Sequence, residues 1–136
     1  MYAIYVRQSL DKKDSISIEM QTELCSKMIP DEYNRVIFQD KGYTGTNTKR
    51  PAFQRMLKQI ENGDIECIVV YKLDRISRSL IDFAKLSDLL ELKNVKLISY
   101  SEQFDTRTPI GQMLVKLLIM FAEKEKKTIA ARISDN

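Results

Sequence analysis

Two hydrophobic periods alternate along the chain. Residues 2–7, "YAIYVR", follow a period of two and read as a first strand, and "RVIFQD" at 35–40 reads as a second. "IECIVVY" at 65–71 is rich in β-branched residues and reads as a central strand buried on both faces, with "VKLISYS" at 95–101 as the fourth. Between them the period lengthens to that of a helix. Residues 16–29 place Ile18, Leu24, Cys25 and Met28 inward. Arg50-Pro51 opens another helix, because the fixed φ of proline suits a first turn. Phe53, Met56, Leu57 and Ile60 form its apolar stripe, and Gly63 is its stop. A third helix covers about 80–92, with Phe83, Leu86, Leu89 and Leu90 inward.

Strands alternating with helices predict an α/β sandwich around a mostly parallel sheet of four to five strands. In such a sheet the loops that follow the strands gather along one edge, where ligands bind. Here those loops carry Arg7 and Ser9, then Asp40 to Arg50, then Lys72 to Arg78, then Ser101 to Asp105. Polar residues far apart in sequence are thus expected on one rim.

The last segment differs. Thr108 and Pro109 form a cap and first-turn pair, and no breaker follows Gly111. A helix from Pro109 of this length measures roughly 40 Å, against a radius of gyration of about 14 Å for such a domain. It is expected to overhang. Its first half is apolar nearly all round (Ile110, Met113, Leu114, Leu117, Met120 and Phe121 among others), more than one sheet can cover, which predicts packing against another subunit. Residues 1–108 therefore read as an α/β unit and 109–136 as the start of an oligomerisation helix. The chain stops in mid-helix, which suggests a piece of something longer.

Composition narrows the chemistry. The 136 residues suffice for one domain with a real core, and 43% hydrophobic with 30% charged residues is ordinary for a globular protein. The longest apolar run, Leu117–Ala122, is too short to cross a bilayer, and no signal peptide is visible. Cys25 and Cys67 match no metal knuckle, and two free thiols in apolar settings suit the cytoplasm. A net charge of +3 does not by itself establish a nucleic-acid partner. The chain has no histidine, which removes the usual general base and imidazole ligation.

On the rim, Arg7 and Ser9 point the same way out of a period-two strand. Arg75 and Arg78, three apart, can share one side of a turn or first helical turn, with Asp74 beside them. Cations are unfavourable at a helix start unless an anion meets them, and a phosphate would gather N–H groups and guanidinium forks alike. Gln21 falls on the apolar side of its helix, where its amide could hold a catalytic group, and Arg50 ends the loop "DKGYTGTNTKR". Each of these residues taken singly also reads as solvated surface or a boundary position. A metal-dependent nuclease using Asp40 and Asp74, and a non-catalytic assembly module built on the apolar helix, remain alternatives at this point.

Taken together the motifs resemble a known family. "YVRQS" at 5–9, Gln21, "DKGYTGTNTKRPAFQRML" at 40–57, "VVYKLDRISRS" at 69–79 and "TPIGQMLVKLLIMFAEKE" follow in the order found in serine recombinases. The R-P-x-F and D-R-x-S-R forms look most similar to the large, transposon and phage integrase branch. The resemblance implies a three-layer resolvase-like sandwich and a site-specific DNA recombinase. It implies Ser9 as nucleophile, forming a 5′-phosphoserine link to DNA, with Arg7, Arg75 and Arg78 holding the scissile phosphate. Arg50, Gln21, Asp40 and Asp74 match further active-site positions. It also implies a homo-oligomer (a dimer, then a synaptic tetramer) built through the helix from Pro109. The expected partner is double-stranded DNA, with no cofactor, metal, ATP, membrane or small-molecule substrate. The long helix would lead to a DNA-binding region beyond it. Where the family carries a Glu-Arg pair on that helix, this chain has Glu125-Lys126, and lysine lacks the planar fork.

Overall fold

The computed structural model describes residues 1–8, 16–41 and 50–134. Strands β1 (Tyr2–Gln8), β2 (Arg35–Lys41), β3 (Cys67–Val70), β4 (Lys96–Ser99) and β5 (Phe104–Asp105) form one sheet in the order β2-β1-β3-β4-β5. The first four are parallel, and β5 runs antiparallel to β4. Helices α1 (Ile18–Ser26), α2 (Pro51–Glu61) and α3 (Leu80–Leu92) cover the sheet, and α4 (Pro109–Ser134) closes the described chain.

Alternation within β1 explains the layers. Ala3 and Tyr5 face one side, where they meet Phe53, Met56 and Ile60 of α2 and Phe83, Leu86 and Leu90 of α3. Tyr2, Ile4 and Val6 face the other, against Ile18 and Cys25 of α1. Both faces are covered, so the predicted three-layer α/β sandwich stands, and β3 is buried throughout as its β-branched composition requires. The chain leaves β1 for β2 on one side and later returns to β3 on the other. This reversal of strand order opens a crevice beyond the C-terminal ends of β1 and β3.

Four elements depart from the sequence reading. Helix α1 is shorter than 16–29, because the Ser17 hydroxyl accepts the Met20 N–H and fixes the start at Ile18. The strands at 65–71 and 95–101 shrink to their four-residue centres. Residues 104–105, read as part of a loop, pair with β4 after a turn in which Gln103 takes a φ of 53°.

Helix α4 carries more apolar surface than its own domain covers. Gly111, Val115, Leu118 and Ala122 make one stripe facing its own domain. Gly111 allows the close approach to β5, since a Cβ there would collide with the Asp105 carbonyl. Ile110, Met113, Leu114, Leu117, Met120 and Phe121 form a second stripe left exposed. Beyond Ala122 the helix is exposed on every side through Ile133. Among the described residues no helix is long and apolar enough to cross a membrane.

Candidate active site

β1 delivers Arg7 to the crevice near its C-terminal end. The residue is only 7% exposed, and its terminal Nη2–H donates to the Asp74 carbonyl at 3.3 Å. Its Nε–H finds no acceptor among the described residues. Gln21 secures the backbone beneath it. The amide Nε2 donates to the Arg7 carbonyl at 3.0 Å and to that of Ile16 at 3.3 Å. Gln21 is fully buried, so the boundary reading of this position is replaced by a structural tie between α1 and β1.

Asp40 sits opposite Arg7 in the β1–β2 register, yet its carboxylate turns to the helix side. It accepts the Ala52 N–H at 2.9 Å, the Phe53 N–H at 3.1 Å and the Tyr5 hydroxyl at 2.7 Å. These are free donors of the first turn of α2, a helix whose own N-cap residue, Arg50, makes no side-chain cap. Asp40 thus serves as a capping anion delivered from a neighbouring strand. Burial, helped by the bond to Asp40, pushes the Tyr5 phenol well above its ordinary pKa and keeps it a donor.

The capped helix in turn orients Arg50. Its guanidinium lies 3.9 Å from the Phe53 ring centroid and donates to the carbonyls of Arg75 (3.0 Å) and Ile76 (3.1 Å). Arg50 therefore clasps the end of the loop that follows β3. That loop is a short 3-10 turn over Leu73–Arg75, and α3 begins only at Leu80, after Ser79 caps it and with Asp82 in its first turn. The arginines consequently do not stand on the first turn of α3. Arg75 is carried away from the α3 start by the 3-10 turn, and Arg78 stands directly before the Ser79 cap.

Arg75 is buried at 8% exposure, with Asp74 beside it at 3.5 Å, while Arg78 is exposed. Asp74 itself projects outward, its side chain 62% exposed. Arg7, Arg50 and Arg78 line one cleft of about 400 Å³ together with apolar residues of α2 and α3 (Phe53, Leu57, Leu86 and Leu89) and with Asp82 and Lys85. Burial lowers the pKa of Arg7, and repulsion from Arg78, Arg50 and Arg75 lowers it further. Three guanidiniums thus lie within electrostatic reach of Arg7. Pre-aimed donors in a half-buried cleft need little reorganisation when an anion arrives.

Of the predicted residues, Arg7, Gln21, Arg50, Asp74, Arg75 and Arg78 are drawn together. Asp40 joins them through Tyr5, Phe53 and Arg50, with its oxygens committed to the fold. Ser9, and the loop residues 42–49 before Arg50, lie outside the described residues. Sequence reasoning missed the stacking role of Phe53, which its place in an apolar stripe concealed, and the hydroxyl of Tyr5. Among the described residues, no group of three or more His, Cys, Asp or Glu is clustered as metal ligands.

The family described as "Resolvase, N terminal domain" matches residues 2–136. The chain belongs to this family. Among resolvase relatives, the transposon Tn917 resolvase of Enterococcus faecalis is 38% identical over 96 residues, covering 71% of this chain and 50% of that protein. The serine recombinase Gin of Escherichia phage Mu is 35% identical over 96 residues, 71% of this chain and 48% of its own. The chain spans about half the length of the curated relatives it matches. The crystal structure of the N-terminal catalytic domain of TP901-1 integrase superposes with a TM-score of 0.77 at 30% identity, covering 93% of this chain and 97% of that one.

Proposed function

We propose that this chain is the catalytic domain of a site-specific DNA recombinase that cuts and rejoins DNA through a covalent phosphoserine link to Ser9. The carrying observation is the convergence of Arg7, Arg50 and Arg78 on one cleft, with Arg75 within electrostatic reach. Ser9 lies two residues beyond Arg7 in the sequence. Family membership supports the reading, as does the likeness to transposon and phage recombinases.

The reaction is a phosphoryl transfer without net loss of a phosphodiester. The Ser9 hydroxyl gives up its proton as its oxygen attacks the phosphorus, the bond to the 3′-oxygen breaks, and the departing oxygen takes up a proton, so that none is gained or lost overall. The reverse attack by a 3′-hydroxyl on the phosphoserine restores the DNA and frees Ser9. Work of this kind is positioning and charge stabilisation. Arg7, Arg75 and Arg78 hold the phosphate oxygens, whose negative charge relieves the repulsion among the guanidiniums. Gln21, Asp40 and Arg50 are positioning residues for that group, and Asp74 supplies an exposed carboxylate at the same rim. Metal and ATP have no part in this scheme, because the guanidiniums neutralise the phosphate and the phosphoserine bond conserves the energy of the cut strand.

In this reading residues 1–108 form the catalytic unit and the helix from Pro109 joins copies of the chain, first as a dimer and then as a synaptic tetramer on two DNA duplexes. The exposed stripe of α4 supports that assembly. The chemistry belongs in the cytoplasm, where DNA is reached directly. The test is a recombinase containing this chain on a nicked recombination site. A covalent protein–DNA adduct mapped to Ser9, absent in Ser9→Ala and unaffected by chelator, is the expected result. An adduct that persists in Ser9→Ala overturns the assignment.

A further inference from the structure

A carboxylate from the far side of the rim reaches the loop that carries the arginines. Glu102, in the turn between β4 and β5, accepts the Leu73 N–H on both oxygens, at 3.3 and 3.2 Å, and the Ser99 hydroxyl at 2.6 Å. Leu73 opens the 3-10 turn, and Lys72 before it provides no side-chain cap, so this N–H is a donor the turn cannot satisfy internally. Ser99 ends β4 and is completely buried, which ties the carboxylate to the rigid sheet.

The surrounding turn is built to hold that geometry. Tyr100 N–H donates to the Val70 carbonyl at 2.9 Å and Ser101 N–H to that of Tyr71 at 2.8 Å, so the two loops run side by side. The rings of Tyr71 and Tyr100 stack 6.0 Å apart. Gln103, the next residue, sits at a φ of 53°, a region non-glycine residues rarely occupy and one that persists where surrounding structure enforces it. The arginine loop is therefore gripped at two points. Glu102 takes the first N–H of its 3-10 turn, and Arg50 takes the Arg75 and Ile76 carbonyls at the end of that turn.

We propose that Glu102 is a positioning residue for DNA cleavage, fixing where Arg75 and Arg78 stand by anchoring the Leu73 N–H, without contact to the phosphate. The proposal rests on the recombinase reading above. Its negative charge, so near a polyanion site, would by itself oppose substrate binding, so the hydrogen bonds and not the charge account for its use. Glu102→Gln keeps both acceptor contacts of the side-chain oxygen and removes the charge. Glu102→Ala removes both.

The experiment follows adduct formation by a recombinase containing this chain at saturating nicked DNA, for the native protein, Glu102→Ala and Glu102→Gln, with melting temperature recorded for each. Glu102→Ala is expected to slow adduct formation by about tenfold or more, as a misplaced loop would. Glu102→Gln is expected to restore the rate to within about threefold, because the acceptor remains. An alanine variant within about twofold of native, or a glutamine variant as slow as the alanine one, overturns the proposal. Should Glu102→Ala fail to fold, Leu73 amide exchange decides: protection in native and Glu102→Gln protein, lost in Ser99→Ala, supports it, and an unprotected native amide overturns it. A native protein that forms no Ser9 adduct would instead sink the recombinase reading.

Discussion

Gln21 donates its amide to the main-chain carbonyl of Arg7 at 3.0 Å, from a position with no solvent exposure. One residue of α1 thereby fixes the height at which β1 presents its arginine to the crevice. The Gln21 Oε1 atom has no donor among the described residues, so the amide is held from one end only. An amide in this position does what a leucine of similar size could not: it bridges two backbone carbonyls, at Arg7 and Ile16, across the gap between helix and strand.

Gln21→Leu keeps the volume and removes both bonds. It is expected to lower stability by about 1–3 kcal/mol, the range for losing buried hydrogen bonds while their partners stay. Urea unfolding of both proteins checks this. An unchanged midpoint would mean that the bridge contributes nothing and that Arg7 is placed by the strand alone.

Asp40→Ala removes three hydrogen bonds at once and leaves the first turn of α2 without its anion. The expected loss is about 2–3 kcal/mol, since a cap is worth roughly 0.5–2 kcal/mol and the Tyr5 hydroxyl is also left unpaired. Asp40→Asn keeps acceptor capacity and should recover part of the loss. Denaturant titration of both variants checks the capping role, and an Asp40→Ala protein as stable as the parent would contradict it.

The architecture was legible because each strand and helix carries its own period. Ala3 and Tyr5 pointing away from Ile4 and Val6 is a consequence of alternation, and the buried Cys67–Val70 core of β3 follows from its composition. The rim was legible in outline, since parallel topology forces the loops to one edge. Its internal wiring was not. That Asp40 would cap α2 depends on where the loop after β2 starts that helix, which no spacing encodes, and the clasp of Arg50 on residues 75 and 76 joins positions 25 and 26 apart. The same holds for the 3-10 turn over Leu73–Arg75, which no period in the sequence announces.

Gly111 is where α4 meets β5. A methyl group at this position would collide with the Asp105 carbonyl, and backbone is not readily displaced. Gly111→Ala is expected to cost about 3 kcal/mol or more, beyond the usual overpacking penalty, despite the better helix propensity of alanine. Thermal unfolding of the variant reports the loss. A variant as stable as the parent would show that α4 can shift along β5 without penalty.

Burial pushes the Cys25 and Cys67 thiols up to about 12. Unfolded thiols titrate at about 8.5, so between these values the native state keeps protons that the unfolded chain has lost, and stability falls as pH rises. By pH 10 the two thiols together remove about 4 kcal/mol at most, because each tenfold preference of the unfolded chain for the thiolate is worth about 1.4 kcal/mol. Unfolding free energy is expected to decline above about pH 8.5, with a shallower slope when both cysteines are replaced by alanine. Both thiols should also resist alkylation at mildly alkaline pH until the protein unfolds. Rapid labelling of the native chain would contradict their burial.

The exposed stripe of α4 carries the last prediction. Ile110, Met113, Leu114, Leu117, Met120 and Phe121 are between 41% and 73% exposed, at the three- and four-residue spacing of a helix seam, on the opposite side from the residues that bind α4 to its own domain. A large side chain gains roughly 1.5–3 kcal/mol on full burial, so pairing two such stripes outweighs the cost of bringing two chains together. The native chain is therefore expected to self-associate in solution. Met113→Glu with Phe121→Glu places charge in the middle of the seam while leaving Val115, Leu118 and Ala122 in place. That double variant should run as a monomer in light scattering, with its α/β unit melting where the parent does. A native chain that stays monomeric at the highest attainable concentration would mean that the stripe is covered by something other than a second copy.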